Sequence, residues 1–273
     1  MAPLPALGDV VESIWIQDSG TAVARRAPTC VLPTGTVEVL FHFGDPLVHV
    51  EDGREIPVPR FYITGQRTRP VFTRATGRTA IVIVSLLPCG SGALLPGASE
   101  IVDGYTDLAE FVPASALARL HGQLATASSD GRRLQIVQEF LIRVRWNRPG
   151  DERMVVAARQ IAAGSQHCVS GLASSLGMTR RHFARSFRAS LGLRPKTFAR
   201  IMRFQRALGL RRSLELPWAD IAVRCGYADQ PHMIRDVREF SSRTPSELGL
   251  HRQAAHQVFN GAEASGYFDT VYL

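Results

Sequence analysis

Arg180, Arg181, Ala184, Arg185 and Arg188 share one face of a helix when the chain is read at 100° per residue. Phe183, Phe187 and Leu191 fall on the opposite face. A guanidinium presents a planar fork of donors that matches phosphate oxygens and the O6/N7 edge of guanine. An arginine front on an apolar back therefore offers cations to a polyanion while it packs on a small core. The stretch Thr179 to Ser213 holds eleven Arg or Lys and no Asp or Glu. Just upstream, Leu172, Ala173 and Leu176 form a short apolar helix face, and Gly177 stands where a tight turn needs positive φ. These residues predict a helix-turn-helix. A solvated basic face on any helical domain is the alternative; charge, turn and apolar back agree better with nucleic acid.

The elements around this face divide the chain of 273 residues in two. Residues 1–150 carry fourteen basic and fourteen acidic side chains, and residues 151–273 carry eighteen and ten, so the whole net charge of +8 lies in the second part. That asymmetry points to nucleic acid or an anionic membrane surface. No apolar run approaches the ~20 residues of a membrane span. The N-terminal MAPLPALGDVVESIW lacks the basic start of a signal peptide. Cys30, Cys89, Cys168 and Cys225 form no CxxC pair and read as buried, reduced thiols in a cytoplasmic protein. No cofactor and no metal are expected. His42 and His49 stand seven apart, which is not a ligand spacing on a strand.

The expected fold is α+β and multidomain. Six runs between residues 9 and 105 alternate Val, Ile, Thr and aromatics and are punctuated by Gly, Pro and Asp. They predict a β-rich sensor or dimerisation barrel over 1–112. A helix pair follows over 113–146. In its second helix Leu134, Val137, Leu141 and Val144 have a/d spacing, which fits either a dimer seam or an amphipathic helix packed on its own barrel. A linker is expected at 147–151, an all-helical domain at 152–250, and a tail at 251–273 whose aromatics predict docking. Helices are expected at 152–163, 169–176, 179–191, 195–213, 217–225, 230–241 and 245–250. Thr179 and Asp229 are the expected N-caps of the third and sixth.

The helical part repeats itself. Ala173 and Gly177 return as Ala222 and Gly226, an offset of 49; His182, Arg185, Arg188 and Pro195 return as His232, Arg235, Arg238 and Pro245, an offset of 50. One extra residue therefore lies in the second turn. A connecting helix of about 18 residues spans about 27 Å, near the ~34 Å between successive major-groove faces on one side of B-DNA.

The strings GMTRRHFARSFRASLGLRPKTFARIMRFQRAL and WADIAVRCGYADQPHMIRDVREFSSRTPSEL resemble the DNA-binding domain of AraC/XylS transcriptional regulators, over about 151–250. The resemblance implies seven helices with two tandem helix-turn-helix units. It places base reading at Arg181, Ala184 and Arg185, and at Gln230, Pro231 and Arg235. Of these, Arg181, Arg185 and Arg235 suit guanine and Gln230 suits adenine. Arg180, Arg188, Lys196, Arg200 and Arg238 are the expected phosphate contacts. Met233 and Val237 stand where the family usually has aromatics. The resemblance also implies a cupin-like N-terminal barrel, with double-stranded DNA and RNA polymerase as partners, a homodimer, a small-molecule effector and no enzyme activity. Arg60, Gln66, Arg67 and Arg69 are the candidate effector residues, beside Arg74 and Arg78, with exposed edge-strand arginines as the alternative. Two rival readings stand beside the regulator: a cupin-type enzyme with a DNA-binding appendage, and an effector-free DNA-binding protein on a dimerisation scaffold.

Overall fold

The computed structural model describes residues 3–20, 28–145, 150–164, 169–214 and 216–248. Among the described residues nine strands form two antiparallel sheets: β1 (Val11–Asp18), β2 (Thr29–Val31), β3 (Glu38–His42), β4 (Leu47–Glu51), β5 (Arg54–Pro57), β6 (Phe61–Thr64), β7 (Val71–Ala75), β8 (Ala80–Leu86) and β9 (Tyr105–Asp107). One sheet runs β1-β8-β3-β6-β9 and the other β2-β7-β4-β5. The six strong runs became β1, β3, β4, β6, β7 and β8.

β8 is buried along its whole length because both faces of its sheet are covered. Val82, Val84 and Leu86 point to one core, and Ile81 and Ile83 to the other. β3 and β6 alternate in the same way, sending Val39, Phe41, Phe61 and Ile63 to the first core and Leu40 and Tyr62 to the second.

The first core is closed by α2 (Ala114–Thr126) and α3 (Asp130–Val144), where Phe140 meets Phe41 edge-on at 5.8 Å. Val137 and Leu141 are buried in it, and Leu134 and Val144 pack against it. The a/d face of α3 is thus spent inside its own domain. The dimer-seam alternative loses that face, because seven-residue spacing says which residues face inward but not what covers them.

A short helix, α1 (Gly90–Leu94), and a 3-10 turn, Ala98–Glu100, follow β8. The C-terminal part holds α4 (Glu152–Ala162), α5 (Val169–Ser175), α6 (Arg180–Leu191), α7 (Pro195–Leu214), α8 (Trp218–Arg224) and α9 (Gln230–Ser241). Residues 245–248 make a turn, Leu248 N bonding Thr244 O at 3.1 Å, where a seventh helix was expected. Most of the expected linker, Cys168 and the tail from 251 onward lie outside the described residues. Cys30, Cys89 and Cys225 are free and buried.

The two parts share one core. Cys30, Leu32 and Cys89 belong to the same cluster as Phe183, Phe187, Phe198 and Phe204. The Nε2 of Gln205 on α7 donates to Pro33 O at 2.6 Å. Gly35 lies so close under α7 that a Cβ there would stand 2.7 Å from Met202 Sδ.

Candidate nucleic-acid interface

Each helix-turn-helix is built by the same backbone device. In the first, Met178 N bonds Ala173 O at 2.9 Å, and Gly177 sits at φ +64°; in the second, Tyr227 N bonds Ala222 O at 2.9 Å, and Gly226 sits at φ +72°. This six-to-one closure needs one left-handed residue, which glycine adopts without a Cβ clash. The side chain of Thr179 then accepts from His182 N at 3.2 Å to start α6, and that of Asp229 accepts from His232 N at 2.6 Å to start α9. Both helices run twelve residues and end on a left-handed residue, Gly192 or Ser242. Phe183, Phe187 and Leu191 anchor α6, while Met233, Val237 and Phe240 anchor α9; all are buried. Met233 and Val237, where the resemblance implies aromatics, are fully buried and pack as apolar anchors.

Opposite those anchors the cations face solvent. Arg180, Arg181, Arg185 and Arg188 on α6 are exposed, as are Gln230, Arg235 and Arg238 on α9 and Lys196 at the start of α7. None of these side chains forms an ion pair or side-chain hydrogen bond with another described residue. His182 is exposed, and His232 stands edge-on to Tyr227 at 5.3 Å.

The arginines of α7 behave differently. Arg200 donates from Nε and a terminal nitrogen to Asp236 Oδ1, at 3.1 and 2.7 Å, and pairs with Glu239 at 2.5 Å. Arg203 lies 3.6 Å from Asp236 Oδ2 and 4.4 Å above the Tyr227 ring. Arg206 donates to Ala162 O at 3.1 Å, at the C-terminal end of α4. Arg211 donates to Leu216 O at 2.9 Å. The basic run thus divides into solvent-facing cations on α6 and at the start of α7, and bonded arginines further along α7, of which Arg200 and Arg203 hold the second unit and Arg206 holds α4. Arg200 was expected at phosphate; instead its guanidinium clamps α9 onto α7. Asp236 and Arg203, which sequence reasoning did not single out, complete that clamp.

In the N-terminal part the expected effector cluster is dispersed. Arg60 and Gln66 flank opposite ends of β6, about 20 Å apart at ~3.3 Å per residue. Arg60 donates to Gly44 O at 2.8 Å, and Gln66 is buried and donates to Gly35 O at 3.0 Å. Arg67 is half-buried and Arg69 exposed. Arg74 pairs with Glu55 and Arg78 with Asp18, each at 2.5 Å. One small molecule cannot reach Arg60, Gln66, Arg67 and Arg69 together.

Two buried histidines lie instead beside the core of Leu40, Tyr62, Ile81 and Ile83. His42 is fully buried, stacks on Tyr62 at 5.9 Å and has no hydrogen-bond partner for either ring nitrogen among the described residues. His49 meets Tyr105 edge-on at 5.0 Å, and its Nε2 is likewise unpartnered, as is Gln66 Oε1. Among the described residues, no group of His, Cys, Asp and Glu is placed to hold a metal ion.

Burial, with Arg60 nearby, holds the His42 imidazole down at about 4, and burial, with Arg67 nearby, does the same for His49. Burial pushes the Glu12 carboxyl up to about 7. As pH falls from about 6.5 to about 4, the unfolded chain takes up protons on both imidazoles that the folded chain does not, so stability is lost. The Glu12 contribution is present below about 4.5 and is lost as pH rises through about 7. Two imidazoles against one carboxyl leave a net loss on acidification between about 6.5 and 4.5. The unfolding midpoint should therefore fall over that range, and His42→Leu should make the fall much shallower. Identical profiles for the two proteins would contradict this burial.

Residues 172–250 match a family described as a helix-turn-helix domain, and residues 1–107 match one described as a domain of unknown function, DUF6597. Comparison with curated proteins found no match. Among solved structures, the C-terminal domain of AraT, a response regulator from Geobacillus stearothermophilus, is 20% identical, with 44% of this chain and 96% of that chain covered at a TM-score of 0.35. An apo variant of ToxT from Vibrio cholerae is 10% identical, with 86% of this chain and 96% of that chain covered at a TM-score of 0.50. ToxT from the same organism bound to a methylnaphthalenyl butenoic acid is 9% identical, with 86% and 98% covered at a TM-score of 0.50. At those identities the likeness to ToxT is one of fold: a β-rich part followed by a helical part. Among the described residues, no helix is long and apolar enough to cross a membrane.

Proposed function

We propose that this chain, whose C-terminal part is an AraC-type helix-turn-helix domain, regulates transcription by reading duplex DNA with α6 and α9. The observation that carries the reading is the pair of matched, capped helices. Each is anchored by buried apolar residues and turns to solvent arginines that form no ion pair with a described residue. Arg181, Arg185, Gln230 and Arg235 read base edges, and Arg180, Arg188, Lys196 and Arg238 hold phosphates. A cytoplasmic homodimer that contacts RNA polymerase belongs to the same proposal.

The phosphate assignment is tested by salt. Each phosphate contact adds about 0.9 to the slope of log affinity against log salt. Arg188→Ala and Lys196→Ala should each flatten the slope by about one and weaken binding to all sequences alike. Unchanged slopes in both variants would remove these residues from the interface.

The N-terminal part would sense a small polar molecule near the Thr64 end of β6, where His49, against Tyr105, and Gln66 present unpartnered buried atoms. A path to the DNA-binding part exists in contacts: Gln66 bonds Gly35 O, Gly35 underlies Met202 and Phe198, and Gln205 bonds Pro33 O. An occupant that prefers one arrangement of these contacts biases the orientation of α7, and one that prefers neither shifts nothing. A thermal-shift screen of the full chain checks the sensor: a metabolite that raises the midpoint of the native protein but not of Gln66→Ala supports it.

A further inference from the structure

A cleft of about 700 Å³ separates the DNA-reading face of α6 from the N-terminal part. One wall carries Arg185 and Arg188, and Arg194 joins them from the turn into α7. The other wall is Ser99, Glu100 and Val102. Three guanidiniums therefore face one carboxylate. Arg185 and Arg188 are about one turn apart, so they project from the same side of the helix into the cleft. Neither these three arginines nor Glu100 forms an ion pair or side-chain hydrogen bond with another described residue. This sets them apart from Arg74, Arg78, Arg145, Arg153 and Arg200, which all have carboxylate partners.

The end of the cleft is fixed by close packing. Gly192, at φ +82°, lies so near the segment above it that a Cβ would stand 2.6 Å from Ser99 O. Only glycine meets both conditions, so the backbone of α6 and the 98–102 segment touch without a side chain between them. The volume lies within the range of small-molecule sites. Val102 and two alanines of α6 add an apolar surface for a short carbon skeleton.

We propose that this cleft binds a small multivalent oxyanion, a phosphorylated or polycarboxylate metabolite, held by Arg185, Arg188 and Arg194. Like-charged groups gathered in a partly enclosed cleft repel one another, and an oxyanion between them removes that cost and accepts their forked hydrogen bonds. The site stands on the cleft alone. Its consequence rests on the DNA-binding reading: Arg185 and Arg188 cannot serve the anion and a duplex at once, so the bound anion excludes DNA from the first unit.

The test is titration calorimetry of the full chain, without DNA, using inorganic pyrophosphate and citrate as probes at constant ionic strength. One equivalent of at least one probe should bind. Arg194→Ala should weaken it about tenfold or more, and Glu100→Gln, which removes the opposing charge, should tighten it severalfold. Arg194 is outside the proposed DNA contacts, and the unfolding midpoint of each variant in chloride alone shows that it is folded. At a probe concentration that just saturates the native chain, the probe should lower the DNA affinity of the native chain more than that of Arg194→Ala. No binding of either probe, or equal binding by the native chain and Arg194→Ala, overturns the site. Anion binding that leaves DNA affinity unchanged overturns the competition. A chain that binds the probe but no DNA would refute the function proposed above and leave the site standing.

Discussion

Arg200→Ala should lower the stability of the C-terminal part by about 2–4 kcal/mol. Asp236 is 1% exposed, and its Oδ1 receives both bonds from Arg200. Removing the guanidinium leaves a buried carboxylate whose nearest remaining cation is Arg203, 3.6 Å from Oδ2. Breaking a buried pair usually costs about 3–5 kcal/mol; the partial exposure of Arg200 and the survival of Arg203 reduce that figure. The loss of the contact of Arg200 with the Phe240 ring, at 5.1 Å, adds to it. At about 2–4 °C per kcal/mol for a chain of this size, the unfolding midpoint should fall by roughly 5–15 °C. Arg200→Ala combined with Asp236→Ala should recover part of the loss, because no carboxylate is then stranded. An Arg200→Ala protein with the native midpoint and a flatter salt slope of DNA binding would return this residue to the phosphate backbone.

Arg185→Ala and Arg235→Ala should do the reverse, leaving stability nearly untouched and erasing base preference. Both side chains are exposed and bonded to no other described residue, so truncation should change stability by less than about 0.5 kcal/mol. A bidentate arginine–guanine pair is worth about 1–3 kcal/mol of discrimination, or roughly 5- to 150-fold. Each variant should therefore accept any base at one position and keep the preference at the position read by the other. Competition binding with single-base variants of a bound duplex measures this. A variant that keeps the full pattern of preference would show that its arginine does not read a base.

The features legible in the sequence were those fixed by neighbours in the chain. Thr179, Asp229, Gly177 and Gly226 act within three or five residues of themselves, and each does what its type and place foretold. The fates of the arginines on α7 were not legible, because Asp236 lies 36 residues beyond Arg200 and only the folded chain brings them together. The grouping of Arg60 with Arg67 and Arg69 failed for the opposite reason. Closeness along an extended strand is distance in space, and alternate residues point to opposite faces. The heptad spacing of α3 marked an inward face correctly but could not tell a partner chain from its own sheet. β2, β5 and β9 were missed because three or four residues are too few to show alternation. The helix α1 lies in a Gly-rich stretch of low helix propensity and packs against Val10 and α6.

If α6 and α9 read two separate segments of one duplex, selection of bound DNA from a random pool by the full chain, followed by sequencing, should yield a preferred site with two short specified segments whose centres lie about one helical turn, roughly 10–11 base pairs, apart. Arg185→Ala should erase information in one segment and Arg235→Ala in the other. Recovered DNA with no shared sequence, or with a single segment that both substitutions degrade alike, would contradict reading by two helices.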